Sequence, residues 1–449
     1  MLTLLGWKKS LVNAPLKLLL VAVLGLPASA GAVDIRTVTT PLGIKAWLVE
    51  DHSVPVLTLS FSIAGGAALE PENQKGVTSL MAQLMTDGAG NLPSQAFRKR
   101  EEETAVSMGF SASLDRIGGS LRALTANRED SLELLRLALT APRFDADMIE
   151  QRRAQFIASL NQASQRPQTV AGRTLMGAVF ANHPYSRDSE GVRETLKTLS
   201  AGDIRKRWST LVDRSGLVIA AVGDISEADL GRALDKVFGG LSAGAVKPLP
   251  PAWTPTSKPR TIVIERPVPQ SVVQMALPGI ARLDPDWYPA FIMNHVLGGG
   301  GQQSRLFTEV REKRGLTYGI SSSLRTWTMA SLLTISTASA NEKVADTIRV
   351  VRAEMTRLRN EGVTAEELAD AKTYLTGALP VSLDSSSSIA SLLHSLQVDG
   401  LPRDQLEKRP KLIAAVTAED VRRMARRLLR DDALTTVVVG KPVGVTAEP

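Results

Sequence analysis

Two stretches of this 449-residue chain are versions of one another, and that repeat constrains the fold more than any other feature. Residues 200–224, SAGDIRKRWSTLVDRSGLVIAAVGD, align without a gap on residues 417–441, TAEDVRRMARRLLRDDALTTVVVGK. Ala201 falls on Ala418, Asp203 on Asp420, Leu211 on Leu428, Leu217 on Leu434 and Gly223 on Gly440. Each copy reads as a helix followed by a buried strand. A spacing of about half the chain is too long for a solenoid and predicts a duplicated domain. Between the copies, residues 241–259 hold Pro248, Pro250, Pro251, Pro255 and Pro259, a semi-rigid linker by composition. The expected organisation is a leader at 1–30, an N-terminal domain at 33–240, the linker at 241–259 and a C-terminal domain at 260–445.

Periodicity fills in these halves. Strands are expected at 35–39, 45–50, 56–63, 110–114 and 120–125, and helices at 76–85, 94–108, 128–141 and 145–164, with Ser94 as a cap and Pro167 as a break. The second half predicts strands at 261–265, 271–276 and within 316–338. Its helices are expected at 287–297 and 342–360, with a capping box at Thr364 and Glu367 and a cap at Asp384. Strands and helices without regular single βαβ alternation point to an α+β fold, two similar domains each built as a mostly antiparallel sheet backed by helices.

With 43% hydrophobic and 22% charged residues, the balance is that of a globular protein with length for two or more cores. Lys8, Lys9 and Lys17, an apolar run at 18–26 too short to span a bilayer, and Ala28-Ser29-Ala30 have the pattern of a cleavable secretory signal. Cutting after Ala30 would take the formal charge from +7 to +4, too small a basic excess to suggest nucleic acid. A periplasmic or secreted destination is expected. No cysteine is present, which excludes disulfides and thiolate metal sites. No Gly-x-Ser-x-Gly elbow occurs, so an autonomous hydrolase has little support.

The stretch 306–323, LFTEVREKRGLTYGISSS, reads as a charged helix ending at Gly315 and handing over to a strand near Tyr318. A guanidinium at Arg311 and a phenol at Tyr318 would supply directional donors to a peptide carbonyl or carboxylate. The alternative for the same pair is a solvated helix face and a half-buried strand residue. The preceding glycines, Gly298, Gly299 and Gly300 with Gly301, read as a helix cap and hinge; without a G-x-G-x-x-G pattern they are no nucleotide fingerprint.

Asn294-x-x-Leu297-Gly-Gly-Gly, Ser304-Arg-Leu-Phe307 and Arg311-Glu-Lys-Arg-Gly-Leu-x-Tyr318 together resemble the C-terminal-half signature of the pitrilysin/insulinase metallopeptidases, in the branch that includes mitochondrial processing peptidase. The resemblance implies two α+β domains arranged as half of a clamshell, with Arg311 and Tyr318 binding substrate beside a zinc site on another domain. That zinc motif, His-x-x-Glu-His, puts two imidazoles on one helical face with a general base between them. Here its positions are Ser79, Ala82 and Gln83, which supply neither two ligands nor a base. The third ligand, a glutamate, is expected near 156–160 and meets Ala158 and Ser159. His52, His183, His295 and His394 stand at no ligand-like spacing, and His183-Pro-Tyr185 resembles a structural turn of the family. The resemblance therefore implies no metal in this chain. It implies a non-catalytic, substrate-positioning subunit of an exported heteromeric zinc peptidase, with zinc and His-x-x-Glu-His in a partner of the same family. The alternative is a scaffold or peptide-binding protein of the same fold.

Overall fold

The strands Val218–Gly223 and Thr435–Gly440, VIAAVG and TTVVVG, lack polar alternation, so each needs cover on both faces. That requirement shapes the molecule. The computed structural model describes residues 34–255 and 258–448; the leader expected at 1–30 lies outside them.

The first half contains β1 (Arg36–Thr39), β2 (Lys45–Glu50), β3 (Val56–Ala64), a small hairpin of β4 (Gly88–Ala89) and β5 (Leu92–Pro93), β6 (Ser107–Ala112), β7 (Arg116–Leu124) and β8 (Val218–Gly223). Apart from the hairpin these make one sheet in the order β1-β2-β8-β3-β7-β6. The second half contributes β9 (Arg260–Glu265), β10 (Gln270–Pro278), β11 (Thr317–Thr326), β12 (Ser331–Ala340) and β13 (Thr435–Gly440), ordered β11-β12-β10-β13-β9. Read from opposite ends, the two orders coincide from β2 and β9 onward. In each sheet one pairing is parallel, β8 with β2 and β13 with β9, and the other pairings are antiparallel. The fold is α+β, two related sheets backed by helices.

The repeat survives at atomic detail. Ser200 and Asp203 form a reciprocal capping box at the start of Ala201–Leu211, and Thr417 and Asp420 form the same box on Ala418–Leu428. In both copies the strand ends on a glycine with positive φ, Gly223 at 126° and Gly440 at 157°. A Cβ on Gly223 would lie 2.0 Å from the Val56 carbonyl oxygen, and one on Gly440 would lie 2.1 Å from Ser271 Oγ.

Cover for the apolar strands is reciprocal. Each sheet buries one face under helices of its own half: Leu80, Leu135, Ile204 and Phe238 pack on Phe61 and Leu59 in the first, and Ile292, Val351, Met355 and Met424 pack on Met275 and Ile335 in the second. The other face takes a helix from the opposite half. Pro167–Val179 lies on β10 and β13, with Ala171 and Leu175 against Val272, Ala276, Val437 and Val439. Ser386–Val398 lies on β3 and β8, where Gln397 donates to the Ile219 carbonyl at 2.9 Å and His394 Nε2 meets Ser62 Oγ at 2.7 Å.

The junction between the halves is aromatic. Phe180 stands 5.0 Å from Trp253, 5.6 Å from Trp327 and 5.7 Å from Tyr185, centroid to centroid. Tyr185 Oη donates to Asp115 Oδ1 at 2.7 Å and accepts from Met329 N at 3.1 Å. His183 Nδ1 accepts from Tyr185 N while Nε2 donates to the Pro251 carbonyl, so the His183-Pro-Tyr185 turn fastens the proline-rich segment to the first half.

Several expected boundaries move. The helix expected at 94–108 is Ser94–Thr104, with Ser94 inside it; Ala105 turns left-handed at φ 51°, and Met108 belongs to β6. The strands expected at 110–114 and 120–125 are β6 and β7, earlier by up to four residues. Pro167 ends one helix and opens the next at its first position, where a missing N–H costs nothing. The cap expected at Asp384 is Ser385, whose hydroxyl accepts from Ser388 N at 3.2 Å, while Asp384 accepts from the Ser388 hydroxyl.

Candidate functional site

The helix Val77–Leu84, which carries Ser79, Ala82 and Gln83, is held from its N-terminus. The buried Glu70 carboxylate accepts from Gly76 N and Thr78 N, both at 2.8 Å, and Arg207 donates to Thr78 Oγ1 at 2.9 Å. Burial pushes the Glu70 carboxyl upward against these bonds. Ser79, 8% exposed, donates to the Ser189 carbonyl at 2.5 Å; Ala82 is buried; Gln83 faces solvent one turn beyond Ser79. Ala158 and Ser159 lie exposed on Ala146–Gln165. A committed hydroxyl, a methyl and a carboxamide do not fit a zinc ion. Among the described residues no group of three or more His, Asp or Glu side chains is placed to hold a metal.

Each histidine has partners of its own, and among the described residues none joins a metal-holding group. His52 bridges Asp224 and Glu50, His183 binds the Pro251 carbonyl, His295 lies 5.0 Å from the Tyr374 ring, and His394 meets Ser62. Both carboxylates beside His52 raise its pKa, whereas burial and the Arg116 guanidinium push the His394 imidazole down to about 4.

The charged run that precedes β11 is a wide, π-type helix at Phe307–Glu312. Most of its charges are paired. Arg305 clamps Glu367 at 2.6 and 2.7 Å, and Glu309 takes Lys313 at 2.7 Å and Arg314 at 2.5 Å, which together hold its carboxyl low. Arg311 is different. Its guanidinium lies 4.7 Å above the Phe307 ring, and among the described residues it has no carboxylate partner.

Tyr318 is turned outward by an irregularity in the sheet. Thr317 pairs with Ser339 and Ile320 with Thr337, so Tyr318 and Gly319 together oppose Ala338. Ser339 and Ile335 face the helices, and Ala338, Ser336 and Thr334 face away. The bulge therefore puts Tyr318 on the open face, 84% exposed and with no side-chain hydrogen bond among the described residues, in line with Ser321, Ser323 and Arg325. Thr317 pins this geometry by accepting from Gly319 N at 3.2 Å and donating to the Ala338 carbonyl at 2.6 Å. Arg311 and Tyr318 thus come from adjoining segments, both exposed, and no hydrogen bond joins them.

The glycines sit inside this packing. Gly298 and Gly299 belong to a π-helical turn at His295–Gly299, with Gly300 as its C-cap. Added Cβ atoms would lie 2.7 Å from Ser322 N at Gly298 and 2.5 Å from Asn294 Nδ2 at Gly299. Their smallness lets the helix end close on β11, where Ser322 Oγ donates to Asn294 Oδ1 at 2.8 Å.

Comparison with known proteins agrees with this architecture. Residues 45–191 match the insulinase (peptidase family M16) description, and residues 198–375 match the peptidase M16 inactive domain. The chain belongs to the M16, or insulinase, family of peptidases and their homologues. It is 26% identical over 391 residues to the non-peptidase homolog YmxG of Helicobacter pylori, covering 86% of this chain and 88% of that one. It is 24% identical over 418 residues to an uncharacterized zinc protease of Streptomyces coelicolor, covering 89% and 88%. A crystal structure of a peptidase M16 inactive domain from Pseudomonas fluorescens superposes with TM-score 0.86 and 28% identity, over 93% of this chain and 99% of that one.

Proposed function

We propose that this chain is the non-catalytic, substrate-positioning subunit of an exported heteromeric zinc metallopeptidase. A partner of the same family carries zinc and His-x-x-Glu-His, and the complex acts on peptides or unfolded segments. The observation that carries this reading is the contrast between two sites in one chain. The zinc positions hold Ser79, Ala82 and Gln83, whereas Arg311 and Tyr318 stand exposed, with no carboxylate or hydrogen-bond partner among the described residues, on a scaffold where most neighbouring charges are paired.

Two relatives each support one part of it by name: the non-peptidase homolog of H. pylori supports the lack of catalysis, and a probable mitochondrial-processing peptidase subunit beta of Schizosaccharomyces pombe, 22% identical, supports a place in a multi-subunit peptidase. The Lys-rich, apolar and Ala-Ser-Ala leader supports export to the periplasm or beyond. In the assembled site, Arg311 grips a peptide carbonyl or carboxylate through a planar fork of donors and Tyr318 adds a directional hydroxyl. Zinc in the partner supplies the hydrolytic chemistry.

The test measures peptide hydrolysis and bound zinc for this chain alone, for any His-x-x-Glu-His chain of the family found encoded beside it, and for the mixture. Zinc and turnover that come only with the partner, and rise when this chain is added, are expected. Arg311→Ala or Tyr318→Phe should cut that stimulation about tenfold with assembly intact, the loss of one hydrogen bond to a developing charge. No association and no stimulation would make the chain a scaffold or peptide-binding protein.

A further inference from the structure

The open face that holds Tyr318 runs into a cleft of about 530 Å³ between the two halves, within the usual size range of ligand sites. One wall is the second sheet, through Gln274, Ser323, Arg325, Thr334 and Ser336; the other is the first half, through Arg173 and Arg187. Among the described residues that line it, Asp188 is the only carboxylate, and Arg173 already holds it at 2.5 Å. Arg187 is engaged by Glu72 and by the Glu70 carbonyl. Arg325 is exposed, rests 5.2 Å from the Trp327 ring centroid, and has no carboxylate partner among the described residues. The neutral polar groups of the lining are hydroxyls and an amide, donors and acceptors suited to a peptide backbone, set beside apolar Leu114, Leu175 and Met176, and Ser323 and Thr334 already share a 3.0 Å bond.

We propose that this cleft is a carboxylate-binding subsite for an extended peptide, with Arg325 as the group that recognises the acid. The proposal rests on the substrate-positioning reading above and adds a substrate class to it. Tyr318 and Arg325 lie on the same face of one strand, about 20 Å apart at about 3.3 Å per residue. A peptide lying along that face spans the distance with six or seven residues. The preferred substrate therefore carries a negative charge six or seven residues from the bond held near Tyr318. That charge is an acidic side chain or the free C-terminus, which present the same carboxylate to Arg325.

The experiment is fluorescence anisotropy with the purified full chain and no partner, using ten-residue Gly/Ser/Ala peptides bearing a neutral dye at the N-terminus. One is C-terminally amidated with Gln near its C-terminal end, one is amidated with Glu in that place, one keeps the Gln and a free C-terminus, and one is amidated with Lys. Either acid should bind about tenfold more tightly than the Gln amide, with the Lys peptide weakest. A gain for Glu alone identifies the side chain as ligand, and a gain for the free terminus alone identifies the chain end. Arg325→Ala should abolish the preference and Arg325→Lys should keep part of it. Equal affinity for the Gln amide and both acids overturns the proposal, as does a preference that persists in Arg325→Ala with unchanged circular dichroism. The two readings fail separately. Loss of acid preference with partner stimulation intact removes only the subsite, and acid preference without any stimulation removes only the subunit role.

Discussion

Tyr185→Phe tests whether the halves are fastened where the aromatic junction places the fastening. The phenol is fully buried; burial and the Asp115 carboxylate both push its pKa well above the usual range, so its proton stays in place to bond Asp115. Deleting Oη removes a hydrogen bond to a charged acceptor, worth about 1.5–3 kcal/mol, and takes the acceptor from Met329 N–H, worth about 1–3 kcal/mol. These losses overlap through one atom, so the expected destabilisation is about 2–4 kcal/mol. Asp115 keeps Thr328 N at 2.9 Å, so Asp115→Ala should cost a comparable amount, and the double variant less than the sum by about 1 kcal/mol or more. Urea unfolding of the four proteins at pH 7, followed by far-ultraviolet circular dichroism with slopes compared, measures this. A loss below about 0.5 kcal/mol for Tyr185→Phe, or costs that simply add, would refute the argument.

Acid should weaken the chain through His394, whose folded pKa of about 4 lies below its ordinary 6.5. Between those values the unfolded chain binds a proton that the folded chain refuses, so stability falls by up to about 3 kcal/mol as pH drops from 6.5 to 4. His394→Gln should flatten that limb in denaturant titrations at stepped pH, and an unchanged limb would contradict the burial argument. Gly223→Ala and Gly440→Ala should each cost about 3 kcal/mol or more, because both force a Cβ into an occupied position at positive φ. Gly177→Ala, in open space on Pro167–Val179, should instead gain about 0.5–1 kcal/mol. Thermal melts that fail to separate these variants would count against the strand geometry.

What the sequence disclosed was local or repeated. The box at Thr364 is short-range chemistry written into four residues, and it forms; Ser200 and Thr417, which the repeat aligns, form the same box, though only the structure showed it. The apolar strands β8 and β13 announce themselves by composition alone. Features set by distant partners stayed hidden. The orientation of Tyr318 depends on register against β12, which nothing near residue 318 encodes. The capping shift from Asp384 to Ser385 is one residue, within the ordinary ambiguity of two adjacent cap formers. Cleft residues such as Gln274 and Arg325 read as unremarkable strand positions until the first half is laid against them.

The exchange of helices between the sheets has a consequence for how the protein is made. Residues 219 and 62 receive their cover from Gln397 and His394, near the end of the chain. While the polypeptide emerges from the ribosome, the first half can assemble its own core but keeps one apolar flank of β3 and β8 bare until some 170 further residues have followed. Biogenesis therefore has a vulnerable interval of fixed length. A holdase acting on the nascent chain would find its binding surface there, and truncations that stop short of residue 398 should aggregate even when every residue of the first half is present.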